Sequence, residues 1–158
     1  MPNQNKTINL TYLESISDGD SEIIKELITI FIEQMPEFFD GFAESYKKSE
    51  WLKIAAFAHK AKSSVLSMGI DELGNKDLKN LELICKQMVL NELENRADIN
   101  AIELSEIEKI KKSFKGYDPE RMEWIKNNCN EGKIKELIDK FSLTCNDAIK
   151  ELNTVLEN

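Results

Sequence analysis

From Ile134 to Leu156 the apolar residues Ile134, Leu137, Ile138, Phe141, Cys145, Ala148, Ile149, Leu152 and Leu156 recur at helical spacing. In water such a run forms an amphipathic helix, from about Gly132, whose apolar stripe other elements must cover. The same spacing runs through Ile23, Ile24, Leu27, Ile28, Phe31 and Met35, then Phe38, Phe39, Phe42 and Tyr46. Pro36 interrupts it, but a helix can restart on proline because the missing N–H is not needed in a first turn. One long helix from Ser21 to about Lys48, open to a kink at Pro36, is expected. Ser49 reads as the cap of a third helix, Glu50 to Met68, and Gly69 sits where a left-handed C-terminal cap belongs. No segment alternates like a strand, and no solenoid period repeats.

The intervening signals are shorter. Thr11 and Glu14 have the spacing of a capping box and open a helix to about Ile16. Gly19 permits a turn, and Asp20 caps the long helix. A further helix begins near Asp71 and carries Leu73, Leu78, Leu81, Ile84, Cys85 and Met88, its first turn weakened by Gly74 and Asn75. Within residues 89–129, Ser105 and Glu108 form another capping-box pattern, ahead of Ile107, Ile110 and Phe114 and ending at Gly116. Asp118-Pro119 restarts a helix lined by Met122, Ile125 and Cys129, with Trp124 beside them. These two short helices are expected to form a hairpin. The fold class is all-α: an antiparallel four-helix bundle with a short N-terminal helix and a helical insertion, 89–129, before the last bundle helix. Residues 1–158 form a single domain, with 1–7 a loose N-terminus.

Composition bounds the function. At 158 residues, with 41 % hydrophobic and 32 % charged side chains, the chain can bury a respectable core and stay soluble. A net charge of −8 argues against nucleic acid or an anionic membrane as the main partner and favours a neutral or locally basic protein surface. Cys85, Cys129 and Cys145 lack any C-x-x-C pairing and fall near apolar faces, so buried reduced thiols are expected and a metal site is not. The start carries no leader pattern, and no apolar run is long enough to span a bilayer, which makes a cytoplasmic setting the expectation.

His59 is the only histidine. At about 100° per residue, Ile54, Phe57, Ala61, Val65 and Met68 turn inward, with Ala58 and Ser64 flanking them, so His59 points outward. A lone helical histidine is most simply an ordinary side chain. Here, however, the outward face carries Leu52, Ala55, Ala56, Ser63 and Leu66 in place of Glu, Lys and Arg, and exposed apolar faces of this kind mark contact surfaces. The short helix from Tyr12 to Ile16 could instead cover part of it. Lys62 stands three residues on, where its ammonium disfavours a charged ring and would offset the charge of a phosphoryl group on it. Lys60 projects sideways as a solvated charge. No obvious carboxylate pair stands beside the histidine.

His59, Lys62, Ser63, Ser64 and Gly69 resemble the phosphoacceptor motif of histidine-containing phosphotransfer (HPt) domains. The runs Leu10 to Glu14, Gly19-Asp20 and Phe31 to Glu37 look like the family's first helices. Trp51 to Ala58 resembles the approach to its histidine, and Asn130 to Leu156 its last helix. The likeness covers Ile8 to Met88 and the C-terminal helix. Ser63 departs from the commoner glycine but is still small; residues 89–129 are absent from minimal HPt domains.

The resemblance implies a carrier in a bacterial-type two-component phosphorelay, with His59 as phosphoacceptor, Lys62 as charge support, and Leu52, Ala55, Ala56, Ser63 and Leu66 as the docking face. Its partners would be response-regulator receiver domains or a hybrid histidine kinase. The chain would need no cofactor of its own, the Mg²⁺ belonging to the receiver. It lacks a Walker motif and a glycine-rich ATP loop, so no autokinase activity is expected. A free-standing monomeric carrier is the expectation. The alternative is a helical adaptor or decoy that binds receivers without carrying phosphate, for which residues 89–129 would supply a second docking surface.

Overall fold

A computed structural model of the protein describes residues 7–158, and every regular element among them is helical. Seven α-helices follow in order: α1 (Thr11–Ile16), α2 (Ser21–Lys47), α3 (Trp51–Ser67), α4 (Lys79–Glu94), α5 (Ala101–Ser113), α6 (Pro119–Asn127) and α7 (Glu131–Glu157). A π-helical segment, Leu73–Leu78, leads directly into α4.

The long helices begin and end largely where local chemistry says they should. Asp20 caps α2 by accepting from the Glu22 and Ile23 amides, Asp118 caps α6 ahead of Pro119, and Asn130 caps α7. Three expected caps differ. Thr11 and Glu14 form no box; Asn9 Oδ1 instead accepts from the Thr11 amide and hydroxyl, at 3.0 and 2.6 Å. Ser49 does not cap α3: its φ of 55° makes it the left-handed residue that ends α2, and α3 starts after Glu50. The box that opens α5 is Asn100 with Glu103, five residues before the Ser105–Glu108 pattern. There the earlier match wins because it sits outside the helix, where a cap must be.

Gly69 has φ +75°, and a Cβ there would collide with the Asn9 carbonyl, whose own amide donates to the Met68 carbonyl at 2.9 Å. Left-handed backbone and close approach coincide, so Gly69→Ala should destabilise by about 2 kcal/mol or more. Thermal melts check this, and an unchanged midpoint would contradict it.

Contacts fix how the long helices pass one another. Between α2 and α3, Phe57 packs onto Gly41, Lys60 Nζ lies 3.4 Å from Glu37, and Ser64 Oγ donates to Gln34 Oε1 at 3.1 Å. As positions rise along α3 they fall along α2. Phe38, Phe39 and Phe42 set their rings edge-on to Phe141 of α7, and α7 also packs on α4. The core lies among these four helices, where Ile28, Met35, Phe42, Ile54, Ala61, Val65, Leu81, Ile84, Phe141 and Leu152 are fully buried.

The expected loose terminus falls mainly on residues 1–6, outside the described residues. Thr7 itself is tied down: its amide and that of Ile8 donate to the Glu151 carboxylate of α7. Helices α5 and α6 each pack on α4 rather than chiefly on each other, which corrects the expected hairpin. Cys85 and Cys145 are buried and Cys129 is half-buried; burial pushes the Cys145 thiol up to about 12 and raises the other two. Among the described residues no helix is long and apolar enough to cross a membrane.

Candidate functional site

Two neighbours flank α3, and the second decides what surrounds His59. Leu52, His59 and Leu66 are spaced by seven, which puts them on nearly one line along a helix. All three meet the α4 side. Leu52 packs against a satellite core of Leu90, Leu93, Ile107 and Ile110. His59 meets Glu82. The Leu66 side chain rests on Gly74, where a Cβ would leave it no room. His59 therefore stands at the seam between α3 and α4, not in the middle of an open face.

His59 Nδ1 lies 2.9 Å from Glu82 Oε1, with the imidazole side chain 75 % exposed and that of Glu82 only 4 %. The other carboxylate oxygen accepts from Lys79 Nζ and Lys86 Nζ, both at 3.3 Å. Burial pushes the Glu82 carboxyl up, but the Lys86 and Lys79 charges, with hydrogen bonds from His59 and Lys79, outweigh it and hold it below the usual range. Lys79 is lowered by burial and raised more by Tyr117 and Glu82, the net shift being upward. Its ammonium lies 5.0 Å from the Tyr117 ring centroid.

These charges assign the histidine proton. An ionised carboxylate can only accept, so Nδ1 must carry the hydrogen. In the neutral ring Nε2 then holds the lone pair. No hydrogen-bond partner reaches Nε2 among the described residues. The arrangement is an exposed imidazole whose Nδ1 side is held by a buried carboxylate.

The other expected site residues divide. Ala56 and Ser63 are exposed, and Lys62 is half-buried and in no ion pair among the described residues. Leu66 is half-buried. Ala55 is only 3 % exposed and cannot line a docking face. Leu52 is half-buried, packed against the satellite core that α4 and α5 form, and keeps part of its surface open. The burial of both has one cause: packing on two sides widens the buried arc of α3 beyond the single stripe that periodicity assigns. Lys60 is the solvated charge expected of it, beside an exposed Glu37.

Sequence reasoning missed Glu82, which lies 23 residues from its histidine. The available signal was a carboxylate set among Leu78, Leu81, Leu83, Ile84 and Cys85, with Lys79 three residues before and Lys86 four after. A second omission is apolar. Tyr12 and Ile16 of α1 are 54 and 55 % exposed, and Ile30 of α2 is 45 % exposed. They line a groove with Gln34, Ser64 and Ser67, next to a hollow formed by Tyr12, Ser63, Leu66, Ser67 and Asp71. Helix α1 thus adds to the apolar surface near Ser63. Among the described residues no cluster of His, Cys, Asp or Glu could hold a metal ion.

Comparison with family models, curated proteins and solved structures returns no significant match for this chain.

Proposed function

We propose that the chain is a histidine phosphotransfer protein that relays phosphoryl groups between receiver-domain aspartates through His59. The supporting observation is the Glu82–His59 pair, which places a proton on Nδ1, so that the lone pair of the neutral ring is on Nε2, in a side chain that is 75 % exposed. The Nε2 lone pair attacks the phosphorus of an aspartyl phosphate, the N–P bond forms, the P–O bond to the aspartate breaks, and the carboxylate leaves. The Nδ1 proton stays in place throughout. The ring gains positive charge as the N–P bond forms, and Glu82 is already positioned to stabilise it. Lys62 is the charge support for the phosphoryl oxygens, and the receiver's Mg²⁺ supplies the rest.

On this reading α2, α3, α4 and α7 form an antiparallel four-helix bundle, with α1 at one end and α5 and α6 as an insertion on α4. The whole chain is one HPt-like domain, acting in the cytoplasm as a monomer. The receiver docks over Ala56, Ser63 and Leu66 and extends onto Tyr12 and Ile16. The second reading, an adaptor that binds receivers without carrying phosphate, draws on the α5–α6 insertion, which covers Leu52 and offers a further surface. Phosphorus NMR after mixing with a phosphorylated cognate receiver should reveal a phosphohistidine resonance. A complex without that resonance would leave the adaptor.

A further inference from the structure

Helix α2 carries an apolar stripe on its outer side. Ile23, Leu27 and Ile30 follow one another at four and three residues, so they share a face, and Ile23 and Ile30 are exposed. Leu27 and Ile30 line a groove together with Tyr12 and Ile16 of α1 and Ser64 and Ser67 of α3. Large apolar side chains left open to water side by side mark a contact surface.

The charges around this groove have one sign. Glu26 and Glu33 stand four residues before and three after Ile30, which makes them its neighbours on the helix surface. Asp71 lines the adjoining hollow with Tyr12 and Ser67. All three are exposed, and none is in an ion pair among the described residues. From Ile8 to Ile24, through α1 and the turn into α2, the chain carries Glu14, Asp18, Asp20 and Glu22 and no lysine or arginine. Among the described residues no lysine or arginine lines the groove or the hollow.

These features select the occupant. An acidic margin repels an anionic membrane, a nucleic acid and a second copy of a chain whose net charge is −8. At about 210 Å³ the groove is smaller than the usual small-molecule site. Every regular element among the described residues is helical, so no sheet edge offers main-chain hydrogen bonds to an extended strand. A partner's backbone must arrive with its hydrogen bonds already made, as in a helix.

We propose that the α1–α2 groove docks a basic amphipathic helix of a protein partner. Its apolar face lies on Tyr12, Ile16, Leu27 and Ile30, and its flanking lysines or arginines meet Glu26, Glu33 and Asp71. The proposal rests on the phosphotransfer reading only in giving that helix to the receiver. His59, Ser63 and Ser67 lie at successive four-residue steps along α3, so a helix seated beside Ser67 brings the rest of its protein up to the imidazole. The acidic margin then selects among receivers by charge.

The test titrates two synthetic amphipathic peptides into the full chain, one of leucine and lysine and the same peptide with glutamate for each lysine. Fluorescence anisotropy reads affinity, and amide NMR shifts read location. The lysine peptide should bind at least about tenfold more tightly than the glutamate peptide, with shifts at Tyr12, Ile16, Ile30 and Ser67. Ile16→Ser combined with Ile30→Ser should abolish binding, and Glu26→Gln combined with Glu33→Gln should weaken the lysine peptide by about tenfold. His59→Gln should bind both peptides like the parent protein, so loss of phosphoryl labelling and loss of docking are read separately. Equal affinity for the two peptides, shifts centred on another face, or unchanged binding in either double variant would overturn the proposal. So would a dimer of the free chain that Ile16→Ser with Ile30→Ser dissociates, because a second copy would then fill the groove. If the serine variant fails to fold, the glutamine variant and the shift map on the parent protein still decide.

Discussion

A His59→Gln protein stays folded and takes no label from a phosphorylated receiver domain. The imidazole is three-quarters exposed, so the substitution disturbs little packing and loses one hydrogen bond to Glu82. The expected stability change is about 1 kcal/mol. Labelling, by contrast, should fall to background, because an amide offers no lone pair able to form a durable N–P bond. Radiolabel transfer from the receiver, alongside a thermal melt of the same sample, reads both quantities. Label that persists in a folded His59→Gln protein would move the acceptor elsewhere and end the assignment.

Removing the carboxylate behind the ring should strike both stability and chemistry. Glu82→Ala leaves Lys79 and Lys86 without their shared anion, at side-chain exposures of 13 and 24 %. Breaking a buried ion cluster this way costs several kcal/mol; partial exposure of the lysines lowers the expectation to about 2–3 kcal/mol. Glu82→Gln keeps the volume but no longer forces the proton onto Nδ1. Transfer from the receiver should slow by about 10²-fold, the scale of a misoriented reacting group. The pH dependence carries a sign that can be checked. Glu82 titrates lower in the folded chain than unfolded, so its stabilisation is complete above the ordinary carboxyl range and fades as pH falls through the folded value. Denaturant melts taken from about pH 6 to pH 3 should show the parent protein losing this increment and Glu82→Gln lacking it. A parental transfer rate in Glu82→Gln would remove the carboxylate from the mechanism.

Helices α2 and α7 were legible because their signals are local: an Asp or Asn cap, then an unbroken three-four stripe. Gly69 was legible for the same reason. The caps that misled were those with two local solutions, such as Asn100–Glu103 against Ser105–Glu108, where the pattern does not say which match lies outside the helix. The site was half legible. A sole histidine on a helix with small and apolar neighbours singles itself out, but Ala55 is buried and Leu52 packs against α4 and α5, whose position the α3 pattern does not encode. Glu82 was hidden by distance in sequence and by the rotation of α4, which no window around His59 contains.

That rotation depends on the π-helical turn at Leu73–Leu78. Its beginning is committed to α3 through Gly74 beneath Leu66, and its sequel is committed again where Glu82 meets His59. A π turn takes up one residue more than an α turn while letting the helix continue in phase. Were Leu73–Leu78 to tighten into α-helix with its sequence unchanged, every later residue of α4 would rotate by about 100° and advance by about 1.5 Å. Glu82 would leave the histidine. The widened turn therefore works as a phase adjuster between two fixed contacts: it takes up the one residue that would otherwise set them out of step, and the alignment of Glu82 with His59 rests on its staying wide.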